Sequence, residues 1–185
     1  MPSPLGHTAI GLATHALYCK NRSILGSWKL LVFVVVLANL PDLDILFGLI
    51  FSGNGNAFHR GMSHSLLFAL GMGLLSTHAW RCWPTIPRLN FLWCFLLILS
   101  HVLADAVFTN APVSLWWPLE ASRIAGDWGW SEVMNSVFTG AFQDIGVVFG
   151  FGLIIMISRL FKYGATVPVI RGLVKVKTSS ISKNT

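Results

Sequence analysis

The chain has 185 residues, 54% of them apolar and only 11% charged, with a net charge of +6 and a mean hydropathy of +0.67. Soluble domains carry about 25% charged residues, so this composition excludes an ordinary soluble enzyme and points to a chain embedded in a bilayer. The positive charge does not signal nucleic acid either, because Lys and Arg lie between and after hydrophobic segments rather than in one aromatic-interleaved patch.

The residues from Met1 to His7 contain neither a basic n-region nor a small-residue cleavage site. No removable signal peptide is expected, and the hydrophobic segments themselves should direct insertion. The first of these runs from Leu5 to Tyr18 and carries His7 and His15. The second starts near Leu30, reaches Leu40, breaks at Pro41-Asp42-Leu43-Asp44 and resumes from Ile45 to Phe51. Proline lacks an amide donor and disfavours helix in the residue before it, so a kink is expected there. The third spans Ser65 to Trp80, the fourth Phe91 to Phe108 and the fifth Ile145 to Phe161. Several fall short of the roughly 20 residues of a full span. The reading is an all-α, polytopic helical membrane protein of about four to five hydrophobic helices with short or broken segments. Residues 1–161 form the helical membrane domain, and 162–185 a basic flexible tail. Cys19, Cys82 and Cys94, an odd number without CxxC spacing, read as small buried apolar residues rather than as disulfides or thiolate ligands.

Placed on alternate sides of five segments, all thirteen Lys and Arg residues except Arg60 and Arg123 fall on one side, and all seven acids on the other. The positive-inside rule makes the basic side, and with it the tail, cytoplasmic. His7, Asp42, Asp44, His59, His64, His101 and Asp105 then all converge on the non-cytoplasmic side. Carboxylates and imidazoles are costly in an apolar setting unless partnered. A shared cation satisfies acceptor-only carboxylates and neutral imidazoles together.

His101 and Asp105 are four apart in a helical segment and share a face. Asp42 and Asp44, two apart after a proline, are expected to point apart, one as a ligand and the other orienting a histidine from behind; helix capping is the alternative. His59 and His64 need a bend at Gly61 to converge, and Ser63 or Ser65 is a candidate cap for the helix that follows. Arg60 reads equally as an anion clamp or as a salt-bridge partner of a local Asp. His15 and His78 read as packing or interfacial residues. Asp144 either joins the cluster or sits as a charge at a helix N-terminus. Trp116, Trp117, Trp128 and Trp130 belong to a loop on the site side, as an aromatic belt. No GxSxG elbow supports a Ser/His/Asp hydrolase.

Gly6-His7, Pro41-Asp42-Leu43-Asp44, His59-Arg60-Gly61-Met62-Ser63-His64-Ser65 and Ser100-His101 with Asp105 and Thr109 resemble the bacterial membrane-bound, metal-dependent hydrolases often called YdjM-like. Leu115-Trp116-Trp117-Pro118 is similar to that family's Leu-Trp-Pro element, although Asn110-Ala111-Pro112-Val113-Ser114 lacks the glycine usual before it. The resemblance implies a bacterial inner-membrane protein whose metal site comprises His7, Asp42, Asp44, His59, His64, His101 and Asp105.

The leading expectation is a hydrolase that activates water at a His/Asp-ligated divalent metal. Zn²⁺ suits the donors first, with Mn²⁺ or Fe²⁺ next, and the number of ligands suggests two ions. Asp42 or Asp44 is the candidate proton acceptor, and Arg60 the group that neutralises developing negative charge. A site at the membrane boundary suggests an amphiphilic, lipid-linked or phosphoester substrate, with membrane lipid as the partner and no nucleic acid. The alternatives are a metal-ion transporter or sensor, or a membrane anchor whose basic tail binds a partner.

Overall fold

The computed structural model describes residues 3–19, 27–84, 86, 88–109, 111–120 and 126–164, the last four of these by their backbone alone. All regular structure among them is helical: α1 (Pro4–Tyr18), α2 (Trp28–Ala38), α3 (Leu43–Ser52), α4 (Leu66–Ser76), α5 (Ala79–Cys82), α6 (Phe91–Phe108), α7 (Trp130–Gln143) and α8 (Ile145–Gly164). Two short 3₁₀ turns, Gly55–Ala57 and Met62–His64, lie between α3 and α4. The expected all-α class holds.

The helix starts are written in the sequence. Ser3, Ser27, Ser65 and Asn90 accept hydrogen bonds from backbone amides just inside α1, α2, α4 and α6, and Pro4 opens α1 where its missing N–H costs nothing. The break at Pro41 is present: α2 and α3 meet at 60°. Gly53, in the left-handed region at φ 66°, ends α3.

α6 is the central element and packs against α1, α2 and α4. Its 18 residues have a mean hydropathy of 2.1 and rise roughly 27 Å, close to the thickness of a bilayer's hydrocarbon core. Trp93, Cys94, Leu97 and Ile98 from its first half join Phe33, Val34 and Leu37 of α2 and Ala69 of α4 in the apolar core. Small residues set the close approaches: a side chain at Gly11 would meet the Cβ of Ala38 at 2.5 Å, and one at Gly73 the backbone of Phe95 at 3.0 Å.

The structure departs from expectation in four places. Among the described residues α6 alone is a single helix long and apolar enough to span; α2–α3 and α7–α8 qualify only as bent pairs, giving up to three spans. The third segment divides into α4 and α5. Residues 130–143 form α7 instead of a loop, so Trp130 begins a helix. Ser131, Glu132, Asn135 and Gln143 hide α7 from a hydropathy reading, yet Val133 and Gly140 both fall on its buried face. Of the cysteines only Cys94 is fully buried, and Cys82 is exposed. Lys20, Arg22, Arg123 and residues 165–185, most of the expected basic tail, lie outside the described residues.

Candidate metal centre

Three helix ends and one loop bring the polar residues together. His7 comes from the first turns of α1, Asp42 and Asp44 from the α2–α3 break, and His101 and Asp105 from the second half of α6. His59, Arg60, Ser63 and His64 come from the α3–α4 loop. The rings of His7, His59, His64 and His101 and the carboxylate of Asp105 are all at most 2% exposed.

The break sends Asp42 and Asp44 to different partners, as their spacing suggests: Asp42 to His64, His101 and Asp105, and Asp44 to His59 and His64. Asp42 makes no side-chain capping bond, which removes the capping alternative for it. The bend between His59 and His64 lies one residue earlier than expected. Arg60, not Gly61, adopts the left-handed conformation, at φ 61°. That costs a non-glycine residue roughly 1–3 kcal/mol. Arg60 is held there by its own amide, which donates to Asp44 Oδ2 at 3.3 Å, and by its carbonyl, which accepts from Ser114 N at 3.1 Å. The Leu-Trp-Pro element supports the same loop, because Leu115 O accepts from the first amide of α4. Ser65, rather than Ser63, caps α4.

Hydrogen bonds fix where the lone pairs point. His101 Nδ1 lies 2.7 Å from Ala38 O; a carbonyl only accepts, so Nδ1 carries the proton and neutral His101 has its lone pair on Nε2. Asp44 accepts from His59 Nδ1 at 2.9 Å and from Ser63 Oγ, and its second oxygen lies 3.2 Å from His64 Nδ1. It thereby turns the Nε2 lone pair of His64 away from itself. His64 Nε2 and His101 Nε2 then face one another at 3.3 Å. Asp42 Oδ1 stands 3.5 and 3.3 Å from these two atoms, and Asp105 Oδ2 stands 3.5 Å from His64 Nε2.

With His64 and His101 neutral, four acceptors would face one volume, an arrangement that a proton on His64 or a bound cation relieves. Burial opposes a charge on His64, but hydrogen bonding to Asp105, Asp42 and Asp44 outweighs it, so its pKa lies well above that of an ordinary histidine. A metal ion competes with that proton for the same lone pair.

Asp42, His64, His101 and Asp105 each offer a ligand atom within 4.8 Å of the others, and Asp44, His59 and His64 form a second such group. These residues could hold a metal ion. Buried atoms without a hydrogen-bond partner fit that use: Asp42 Oδ1, Asp105 Oδ1, His59 Nε2 and both ring nitrogens of His7. His7 stacks on His101 with centroids 3.6 Å apart and brings Nε2 to 3.3 Å from Asp105 Oδ1. Arg60 Nε donates to Asp105 Oδ2 at 3.0 Å, so the salt bridge foreseen as one reading of Arg60 is made.

Sequence reasoning missed the support beneath His7. Asp144, at the turn between α7 and α8, accepts from Ser3 N at 2.5 Å and from Gly6 N at 3.0 Å. It does not join the cluster; the helix N-terminus that it serves is that of α1. A Cβ at Gly6 would lie 2.7 Å from Asp144 Oδ2, which gives the glycine of the Gly-His pair a physical reason. Only the apposition of two distant segments reveals it. His15 packs edge-on against Trp93, and His78 lies exposed beside Thr77.

A bundle of short and broken apolar helices around a buried His/Asp cluster defines a helical membrane protein with a candidate metal centre at one end. The chain belongs to the YdjM inner membrane protein family, whose profile matches residues 1–168. It is 38% identical over 135 residues to the inner membrane protein YbcI of Escherichia coli (strain K12), an alignment covering 69% of this chain and 74% of that protein. No solved structure matches.

Proposed function

We propose that the protein is a metal-dependent hydrolase. The observation that carries this reading is the convergence of ligand atoms of Asp42, His64, His101 and Asp105 within 4.8 Å of one another, all buried except the partly exposed Asp42. Zn²⁺ suits this donor set first, and Mn²⁺ or Fe²⁺ next. A bound ion there would lower the pKa of a water to about 7 and polarise a substrate oxygen.

The chain's own residues divide the remaining work. Asp44 and Ala38 O hold the tautomers of His64 and His101, so that each presents Nε2. His59, whose Nδ1 donates to Asp44, keeps its buried Nε2 as the proton acceptor. Asp44 thus acts through His59 rather than accepting the proton directly. Arg60 fixes Asp105 and supplies positive charge beside the reacting group. A neutral imidazole offers one lone pair, so His64 cannot complete both ligand groups at once. One tightly held ion is the simplest occupancy, and a second at Asp44 and His59 would be weaker.

The test is turnover of phosphodiester, phospholipid and amide substrates by the purified protein with Zn²⁺ or Mn²⁺, against chelated protein and a His101→Ala variant. Metal-dependent turnover lost in the variant is expected. Bound metal without turnover, together with metal flux in proteoliposomes, would favour a transporter instead.

The bundle is multi-pass, with the cluster on the non-cytoplasmic side and the C-terminal tail inside, following the division of basic residues in the sequence. An impermeant thiol reagent on intact cells should label Ser52→Cys and miss Lys175→Cys, in a background without Cys19, Cys82 and Cys94. The reverse pattern would invert the orientation.

A further inference from the structure

Two cavities meet at His59, which lines both. The first, about 610 Å³, is walled by Leu43 and Phe47 of α3, Phe58 and Met62 of the loop, and Phe68 and Met72 of α4. Its polar end is formed by Asp44, His59 and Ser63, the margin of the candidate metal centre. Phe47, Phe58 and Met62 are each about half exposed. The same two helices also carry the exposed apolar residues Ile50 and Phe51 (α3) and Leu67 and Leu70 (α4). A groove whose own wall is half exposed, on helices with further exposed apolar residues, suits lipid rather than water. The second cavity, about 640 Å³, differs in chemistry: Arg60, Asn56, Thr109, Ser136, Thr139 and Gln143 line it, and no carboxylate is among its described lining residues.

We propose that the protein binds a phosphoester amphiphile that reaches it sideways from the bilayer, with the hydrocarbon chain in the first groove and the phosphate at His59 facing the Arg60 cavity. This substrate class rests on the hydrolase reading above. An apolar wall and a chamber lined by hydroxyls, amides and the Asp105-paired guanidinium of Arg60 lie on either side of one buried imidazole and match the two ends of such a molecule. His59 Nε2, buried and without a hydrogen-bond partner, belongs to a residue that lines both cavities. Hydrolysis at that point breaks one P–O bond: water gives its hydroxyl to phosphorus and its proton to the leaving oxygen. No further reactant is required. The polar product stays in the Arg60 chamber, and the apolar one returns to the bilayer.

The chain gains nothing from leaving lipid for the groove, so position and head-group contacts supply the selectivity. Hydrogen bonds to a charged group are strong enough to concentrate an anionic head about tenfold over a neutral one.

The test uses full-length protein in phosphatidylcholine nanodiscs and dodecyl phosphate bearing a diazirine at the chain end. After photolysis, adducts should concentrate on peptides holding Phe47, Phe58, Met62 and Met72. Excess unlabelled dodecyl phosphate should compete them away, and dodecanol should compete about tenfold less well. Met72→Trp, which fills the groove, should remove these adducts while sparing background labelling at Leu103 and Val107 on the outer face of α6. Should that variant not fold, the competition in the unaltered protein decides the matter alone. Adducts spread evenly over the outer faces, equal competition by dodecanol, or a groove covered by a second copy or by residues 165–185 would overturn the proposal. Labelling needs no turnover, so groove adducts without hydrolysis would fail the hydrolase reading alone. Hydrolysis of soluble esters without groove adducts would fail the amphiphile alone.

Discussion

The two halves of α6 are equally buried and chemically opposite. Trp93, Cys94, Leu97 and Ile98 in its first half meet apolar neighbours and hold the bundle together. One to two turns later His101 and Asp105, no more exposed, meet a second histidine, a second carboxylate and a guanidinium. The first half stabilises the fold by burial itself, at about 25 cal/mol per Å² of apolar surface. The second does so only when its acceptors share a proton or a cation. Equal burial therefore hides two kinds of dependence, one on shape and one on a bound charge.

The two dependences separate by mutation. Leu97→Ala should cost about 2–5 kcal/mol of stability, because it opens a cavity in the apolar half. The additional stability gained on adding Zn²⁺ should be unchanged in that variant. In the unaltered protein this gain should reach about 4 kcal/mol when free metal is a thousandfold above its Kd. His101→Leu should abolish the gain and lower metal-free stability by no more than about 1–3 kcal/mol, because the removal of one acceptor from the cluster offsets part of the cost of leaving Ala38 O without its donor. Denaturant or thermal unfolding with and without chelator measures all of these. A His101→Leu variant that still gains stability from metal would erase the contrast between the halves.

Gly6→Ala comes next. The added methyl meets the Asp144 carboxylate, and the forced shift should cost about 1–3 kcal/mol. Because His7 follows directly, the variant should also bind metal more weakly, whereas Ala13→Gly on the same helix should affect stability alone. Equilibrium dialysis of the two variants checks this.

The smallest effect is expected at the opposite end of the bundle, where Arg88 lies over the Trp80 ring at 4.8 Å. Arg88→Ala should cost about 0.5–1 kcal/mol and leave metal binding untouched. A loss of metal in that variant would show that the two ends are coupled.

What was legible in the sequence follows from what is local. The cap at Ser65, the break at Pro41 and the pairing of His101 with Asp105 on one face each depend on a few neighbouring residues. α7 was not legible, because its face is amphipathic and its mean hydropathy low. That one of Asp42 and Asp44 orients a histidine was legible from their spacing; that it is Asp44, and that it serves both His59 and His64, appears only once the chain has bent at Arg60. The Asp144–Gly6 contact spans 138 residues, and no spacing rule reaches that far. The candidate ligands stood out because such residues are rare in apolar segments; their tautomers and division of labour appear only once Ala38 O and Asp44 are placed.

The most direct test of the central claim is metal analysis of the protein purified in mild detergent, with His101→Leu carried through the same preparation. The account predicts about one divalent ion per chain after gel filtration, removed by chelator, restored by Zn²⁺ and absent from the variant. Equal metal in both proteins, or no metal retained by the unaltered protein after saturation with Zn²⁺, Mn²⁺ and Fe²⁺ in turn, would contradict it.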